Sequence, residues 1–342
     1  MGGDTRHFTT LYEDLRNDPR FKVRLINTSR QQDSSNPLRN LTVALKTLFA
    51  VLFQLGRTDI VSFHASDRGM FLFGPLIVTL CKLTGKPTVL RVFGGSFGDF
   101  YFDQSTPKKW IIRKLLLSSD VMLLQTRRSI QQLKDHATGH LEWFSTYVRA
   151  VSVPNERPGI SEDDGIKTCR KFIYLGHLWR TKGIEIMLEA AADLPPDTSI
   201  DLYGPLDEYT EDDIRNRGKG RVRYRGFLAH EHVDATLRTY DCLVLPTFHP
   251  GEGYPGVIAE AFSQGLPVIT TQWLAIPEIV DEECGILIPP NDSAALIAAI
   301  ATLRNDRDRW RKLCRGAQRK AAQFDHDVWS SKFESICEEL VA

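Results

Sequence analysis

The sequence has no cysteines in a CxxC pair. Its six, Cys81, Cys169, Cys242, Cys284, Cys314 and Cys337, stand far apart. That argues against a zinc ribbon or a disulfide framework and for reduced, buried thiols in a cytosolic protein. The sequence also lacks an apolar run long enough to cross a bilayer. Leu41–Leu55 is interrupted by Lys46, and Met70–Leu83 contains Pro75 and Lys82. The second falls short of the roughly 20 residues a span needs, so both read as buried helices. The start, MGGDTRHF, has no apolar signal core, so secretion is not indicated. No GxGxxG follows a first strand, which argues against a dinucleotide-binding oxidoreductase. Internal repeats and low-complexity segments are absent. Net charge is zero, and no nucleic-acid partner is expected. The halves differ, however: residues 1–160 carry 22 Lys+Arg against 13 Asp+Glu, and residues 161–342 carry 21 against 30. Either the first half meets something anionic, or solubilising charge is unevenly spread.

What is present is an alternation of short apolar runs with amphipathic stretches, in a chain of 342 residues that suits two domains. Strands are predicted at Lys22–Asn27, Ile60–His64, Thr88–Phe93, Val121–Gln125 and Glu142–Phe144. Helices are predicted at Pro37–Leu55, Gly69–Leu83, Lys108–Leu117 and Arg128–His136. Pro154–Lys167 is apolar-poor and reads as a linker. The alternation then restarts, with strands at Phe172–Leu175, Ile200–Tyr203, Val222–Arg225, Cys242–Pro246, Val268–Thr270 and Gly285–Ile288. Helices follow at Gly183–Asp193, Glu231–Tyr240, Gly256–Gln264, Ser293–Asn305, Asp308–Phe324 and Val328–Val341. The pattern predicts an α/β protein of two parallel-sheet domains with a cleft between them. The first domain is expected over 1–155 and the second over 168–327, with the last helix, 328–342, packing back on the first.

Two stretches carry candidate chemistry. The first is HPGEGYPGVIAEAFSQGLPVITT, His249–Thr271. Glu252 sits in a Gly/Pro-rich loop after an apolar strand, and a helix starts near Gly256 with Glu260 about one turn in. Free backbone N–H groups at such a start suit phosphate oxygens. Gly253 and Gly256 allow close backbone approach. An ionised carboxylate is an acceptor for sugar or ribose hydroxyls. The second stretch is YLGHLWRTKGIEIMLEAA, Tyr174–Ala192, whose strand-to-helix loop carries Arg180 and Lys182. Two cations there can grip a diphosphate and stabilise its departure. Seen singly, each set reads equally as solvated loop charges. Both lie at carboxyl ends of predicted strands, the ligand edge of a parallel sheet.

Together these stretches resemble the retaining family-4 glycosyltransferases of the GT-B fold, with two Rossmann-like domains facing a cleft. The likeness runs from Gly2 and Gly3 through DIVSFHAS and KPTVLRVFGG to the last helix. Its most specific element is the Glu-x7-Glu motif, matched by Glu252 and Glu260, with GLPVITT and IPEIV…CGILIPPND behind it. The resemblance implies that Lys182 binds diphosphate, Glu260 the donor ribose, and Glu252 the donor sugar. The Gly253–Tyr254–Pro255–Gly256 backbone then holds sugar and phosphate. The loops at Gly204–Pro205 and Phe227–Leu228 seat the base, and Gly94–Gly95 face the donor from the first domain. The family's arginine falls at His177, so Arg180 is the candidate replacement. His64 closes its strand, either as a buried structural histidine or as one facing the cleft. The family opens with a strand before its Gly-rich loop. This chain begins in the loop, so the first strand of its first domain is expected to be missing.

The function implied is transfer of a hexosyl-type sugar, with retention, from a UDP-, GDP- or ADP-sugar to a glycan or lipid-linked acceptor in surface polysaccharide assembly. No metal or other cofactor is implied, since no Asp-x-Asp cluster accompanies the phosphate loops. The location implied is cytoplasmic, peripheral at the inner face of the membrane. There Lys108, Lys109, Arg113, Lys114, Arg127 and Arg128 are candidates to meet anionic lipid. A nucleotide-sugar epimerase and a non-enzymatic relative remain as alternatives.

Overall fold

The computed structural model describes residues 3–26, 49–149 and 169–342. They form two compact units. One comprises residues up to Phe144 together with Ser330–Ala342, and the other comprises Ser145–Trp329.

The first unit has a four-stranded parallel sheet, in spatial order β1-β2-β3-β4. Its strands are β1 (Val61–Ser66), β2 (Thr88–Phe93), β3 (Val121–Leu124) and β4 (His140–Trp143). Around it lie α1 (Gly3–Asn17), α2 (Asp67–Thr84), α3 (Phe97–Phe102), α4 (Thr106–Ile111, running into a wider turn over Ile112–Leu116) and α5 (Arg127–Leu133). β2 and β3 are buried at every position, as a sheet covered on both faces requires. Runs without polar/apolar alternation, VMLL and (but for Thr88 and the buried Arg91) TVLRVF, are therefore what such strands should look like. α2 ends where Gly85 adopts φ 64° and its N–H caps the Cys81 and Lys82 carbonyls. α5 starts where the Thr126 side chain accepts from Ser129 N–H.

The second unit has a six-stranded parallel sheet in the order β10-β9-β8-β5-β6-β7. The strands are β5 (Lys171–Leu175), β6 (Ser199–Tyr203), β7 (Val222–Tyr224), β8 (Cys242–Leu245), β9 (Val268–Thr271) and β10 (Gly285–Ile288). The helices are α6 (Ile184–Ala190), α7 (Glu211–Arg217), α8 (Val233–Leu237), α9 (Gly256–Ser263), α10 (Ser293–Asn305) and α11 (Arg307–Ala321), while the last helix, α12 (His326–Val341), belongs to the first unit from Ser330 on. Phe172, Ile173, Leu243 and Val244 are wholly buried at the centre of this sheet. Burying side chains of that size is worth about 1.5–3 kcal/mol each. Asp292 and Asp306 cap α10 and α11 by accepting from N–H groups three residues on.

Three expectations are corrected. The strand read at Lys22–Asn27 is not in a sheet over its described residues, 22–26, and among the described residues no strand precedes Val61. The Gly-rich start, read as a loop, enters helix α1 at Gly3. The strand read at Glu142–Phe144 runs over His140–Trp143, in register with Val121–Leu124. The helix read over Pro37–Leu55 is helical over 49–55, and its earlier part and the linker Pro154–Lys167 lie outside the described residues. No described helix is long and apolar enough to cross a membrane.

Candidate functional site

The candidate site follows from the sheet order of the second unit. β5 and β8, seventy residues apart in sequence, are neighbours, with Phe172 opposite Cys242 and Ile173 opposite Leu243. Their carboxyl-terminal loops therefore emerge side by side. Phe248 N–H donates to the Thr181 carbonyl at 2.8 Å. Gly183 is pressed against Pro246: a Cβ there would lie 2.2 Å from the Pro246 carbonyl oxygen, and its φ of 85° disfavours any side chain.

This brings Lys182 and Glu252 together. Lys182 Nζ lies 2.9 Å from Glu252 Oε1 and 2.7 Å from Oε2. Glu252 is buried, and its Oε2 also accepts from Thr247 Oγ1 at 2.6 Å. The carboxylate is fixed by an ammonium and a hydroxyl, with lone pairs left over, and Lys182 retains protons for further acceptors. α9 begins three residues beyond the loop's Gly253. Its N-cap position is Pro255, which gives no side-chain cap, so the first-turn N–H groups carry the helix's positive end unsatisfied by a capping side chain.

Around the pair runs a row of rings that the sequence reading did not anticipate. His177 stacks on Trp179 at 4.7 Å between centroids, and Trp179 lies 5.4 Å from His249. His249 Nδ1 is 3.0 Å from Thr181 Oγ1. Its carbonyl accepts from the Trp273 indole at 2.8 Å, and its N–H donates to Thr247 Oγ1 at 3.2 Å. Burial, with the Lys182 charge as the smaller cause, lowers the His249 pKa from its ordinary 6.5. His249 stands inside the stretch singled out from sequence, but nothing in its spacing marked it. Trp179 gave no signal at all.

The loop after β6 straps the loop after β5. Leu178 N–H donates to the Pro205 carbonyl at 3.1 Å, and Gly176 N–H to the Tyr203 carbonyl at 3.0 Å. His177 Nδ1 meets Asp207 Oδ2 at 2.8 Å, and Arg180 N–H donates to Glu208 Oε2 at 2.6 Å. The Arg180 side chain is exposed. Its charge is a minor cause lowering the pKa of Glu185, after the hydrogen bond from Arg217 and that residue's charge. His177, where the resemblance places an arginine, is held by an acid.

The remaining candidates divide by place. Tyr254 is buried and its hydroxyl donates to Glu278. Glu260 lies half-buried on α9. Gly204, at φ 142°, packs so closely that a Cβ would sit 1.9 Å from the Gly176 carbonyl oxygen. Its N–H donates to the Gly226 carbonyl at 3.0 Å. Phe227 beside it is 70% exposed, with Leu228 half-buried. Gly94 and Gly95 belong to the first unit at the carboxyl end of β2, where the Gly95 carbonyl accepts from Ser129 Oγ at 3.0 Å. His64 is packed by the rings of Phe8, Phe93 and Phe333. Its Nε2 meets Ser62 Oγ at 2.7 Å. Burial, with the Arg91 charge adding to it, holds its pKa well below 6.5. Among the described residues no group of His, Cys, Asp and Glu is arranged to hold a metal ion.

The fold so described is GT-B: two Rossmann-like parallel-sheet domains. It is similar to sucrose-phosphate synthase from Thermosynechococcus elongatus, at TM-score 0.76 and 18% identity over 99% of this chain and 94% of that one. It is also similar to the Anabaena protein HepE, solved in complex with UDP, at TM-score 0.67 and 17% identity over 89% of this chain and 84% of that one. Residues 169–306, which contain Lys182, Glu252 and Glu260, match the family model described as Glycosyl transferases group 1. In sequence, 167 residues are 30% identical to the O-antigen chain mannosyltransferase B of Escherichia coli. That match takes in 46% of this chain and 42% of the relative, so the chain spans about two fifths of that relative's length.

Proposed function

We propose that this protein is a glycosyltransferase that takes a hexosyl-type sugar from a nucleotide-sugar and passes it, with retention, to a glycan or lipid-linked acceptor hydroxyl. One observation carries the reading: Lys182 and Glu252 meet at the carboxyl ends of adjacent β5 and β8, beside the start of α9. In this account Lys182 and the α9 N–H groups hold the diphosphate and stabilise it as it leaves. Glu252 accepts hydroxyls of the sugar, and Glu260 those of the ribose. Gly253, Tyr254, Pro255 and Gly256 supply backbone to sugar and phosphate. The base lies by Gly204, Pro205, Phe227 and Leu228, with the exposed Phe227 ring available for stacking. Arg180 adds charge at the loop's edge.

The family model, the mannosyltransferase relative and the UDP-bound structural neighbour support this reading. The wider role proposed is surface polysaccharide assembly at the cytoplasmic face of a membrane, without a metal or other cofactor. The test is turnover of UDP-, GDP- and ADP-hexoses in chelator, with the product's anomeric configuration read by NMR. Release of nucleoside diphosphate with retained configuration supports the account, and inversion contradicts the retaining step. Conversion of the donor to its epimer without any acceptor would assign the site to an epimerase instead.

A further inference from the structure

Lys182 reaches Glu252 on a long side chain with many rotamers, from a loop that follows a different strand. A displacement of about 1 Å at a reacting centre costs on the order of a hundred-fold in rate. What keeps the two loops in register is therefore part of the chemistry. The backbone supplies one tie, from Phe248 N–H to the Thr181 carbonyl at 2.8 Å. A side-chain tie crosses beside it: His249 Nδ1 lies 3.0 Å from Oγ1 of Thr181, the residue just before Lys182.

His249 is bonded into the Glu252 turn at both ends of its backbone. Its N–H donates to Thr247 Oγ1 at 3.2 Å, and that hydroxyl donates to Glu252 Oε2 at 2.6 Å. Its carbonyl accepts from Glu252 N–H at 3.1 Å and from the Trp273 indole at 2.8 Å. The residue thus joins the Glu252 turn, through its backbone, to the Lys182 loop, through its ring. Trp179 packs beside that ring, at 5.4 Å between centroids.

The groups give the bond its direction. Burial and the Lys182 charge favour the neutral ring, against a smaller opposing pull from Glu252. The Thr181 hydroxyl has one hydrogen and meets no other acceptor among the described residues. The network therefore assigns Thr181 as donor to Nδ1, with the ring hydrogen on Nε2. We propose that His249 is a positioning residue for sugar transfer, whose Nδ1 bond to Thr181 holds Lys182 in place against Glu252 as the diphosphate departs. The inference rests on the sugar-transfer reading of that site and adds a residue that acts through Lys182. A ring that merely filled space would act on stability alone.

The test is steady-state transfer by the full chain from the nucleotide-hexose that the wild type turns over, with the urea midpoint of each variant measured alongside. His249→Ala and Thr181→Val are each expected to lower kcat about ten- to a hundred-fold with donor KM little changed. The double variant should be no worse than the poorer single one, because both remove the same bond. His249→Asn, whose amide falls near the Nδ1 position, and Thr181→Ser, which keeps the hydroxyl, should recover most of the rate. His249→Gln, whose amide falls near the Nε2 position, should not. Thr181→Val only exchanges a half-buried hydroxyl for a methyl, so it decides the matter if His249→Ala fails to fold. Rescue by Gln and not by Asn would place the ring on a ligand through Nε2 and overturn the proposal, as would single losses that multiply in the double variant. An active wild type whose kcat is indifferent to both substitutions overturns this inference alone. A wild type that turns over no nucleotide-hexose removes the sugar-transfer reading and this inference with it.

Discussion

Lys182 and Glu252 form a two-point ion pair, 2.7 and 2.9 Å, between loops that only the adjacency of β5 and β8 brings together. Removing one partner of a largely buried pair leaves the other charge uncompensated, at about 3–5 kcal/mol. Lys182→Ala should therefore lower both stability and turnover. Glu252→Gln keeps the shape and an oxygen for Thr247, so it should destabilise less while still lowering turnover by about a hundred-fold or more. Denaturant unfolding alongside steady-state kinetics separates the two effects. Equal stability loss in both variants would contradict the geometry.

Arg180 and Lys182 are two residues apart but should not behave alike. Arg180 is exposed, with its backbone N–H on Glu208, whereas Lys182 sits on Glu252. Arg180→Ala is expected to change donor KM by less than about tenfold, and Lys182→Ala to lower kcat/KM by about a hundred-fold or more. If Arg180→Ala proves the more damaging, the diphosphate lies on the other side of the loop.

Gly183 and Gly204 fix the loop backbone. At φ 85° and 142°, with a Cβ meeting backbone oxygens at 2.2 and 1.9 Å, alanine at either position adds both strain and a clash. Gly183→Ala and Gly204→Ala should each cost about 2 kcal/mol or more, read as a lower unfolding midpoint in urea. A neutral result at Gly204 would mean that the loop after β6 does not press on Gly176.

Stability should fall on mild acidification. His64 and His249 are held below their ordinary 6.5 by burial, so the unfolded chain takes up protons that the folded one refuses. Their contribution is complete above pH 6.5 and is lost as pH drops through their folded values, at up to about 1.4 kcal/mol per pH unit for each. Unfolding free energies at pH 7.5 and 5.5 should show the drop in the wild type and a smaller one in His64→Leu. An unchanged slope in that variant would show that His64 is not held neutral by the fold.

The second unit was largely legible in the sequence because its strands are short apolar runs bounded by Gly and Pro. Gly285–Ile288 and Ser293–Asn305 match residue for residue. Local pattern misled where tertiary context decides. Phe21, Val23 and Leu25 alternate like a strand, yet the described residues offer them no ladder partner. Gly2 and Gly3 suggested a loop, and α1 forms because Phe8, Leu11 and Leu15 return to the first unit's interior. Both site loops were visible as motifs. The Lys182–Glu252 contact was not, because strand order is not written in the local sequence. Nor was the His177–Trp179–His249 row, whose members are ordinary residues until β5 and β8 become neighbours.

The most direct test of the account is thermal unfolding with excess UDP, GDP or ADP, each without divalent metal. A ligand at about 100 times its dissociation constant adds roughly 2.7 kcal/mol to stability. The account predicts a raised melting temperature with one of the three, lost in Glu260→Ala and in Lys182→Ala. No shift with any of them in a cooperatively unfolding protein, or a shift that survives both substitutions, would contradict it.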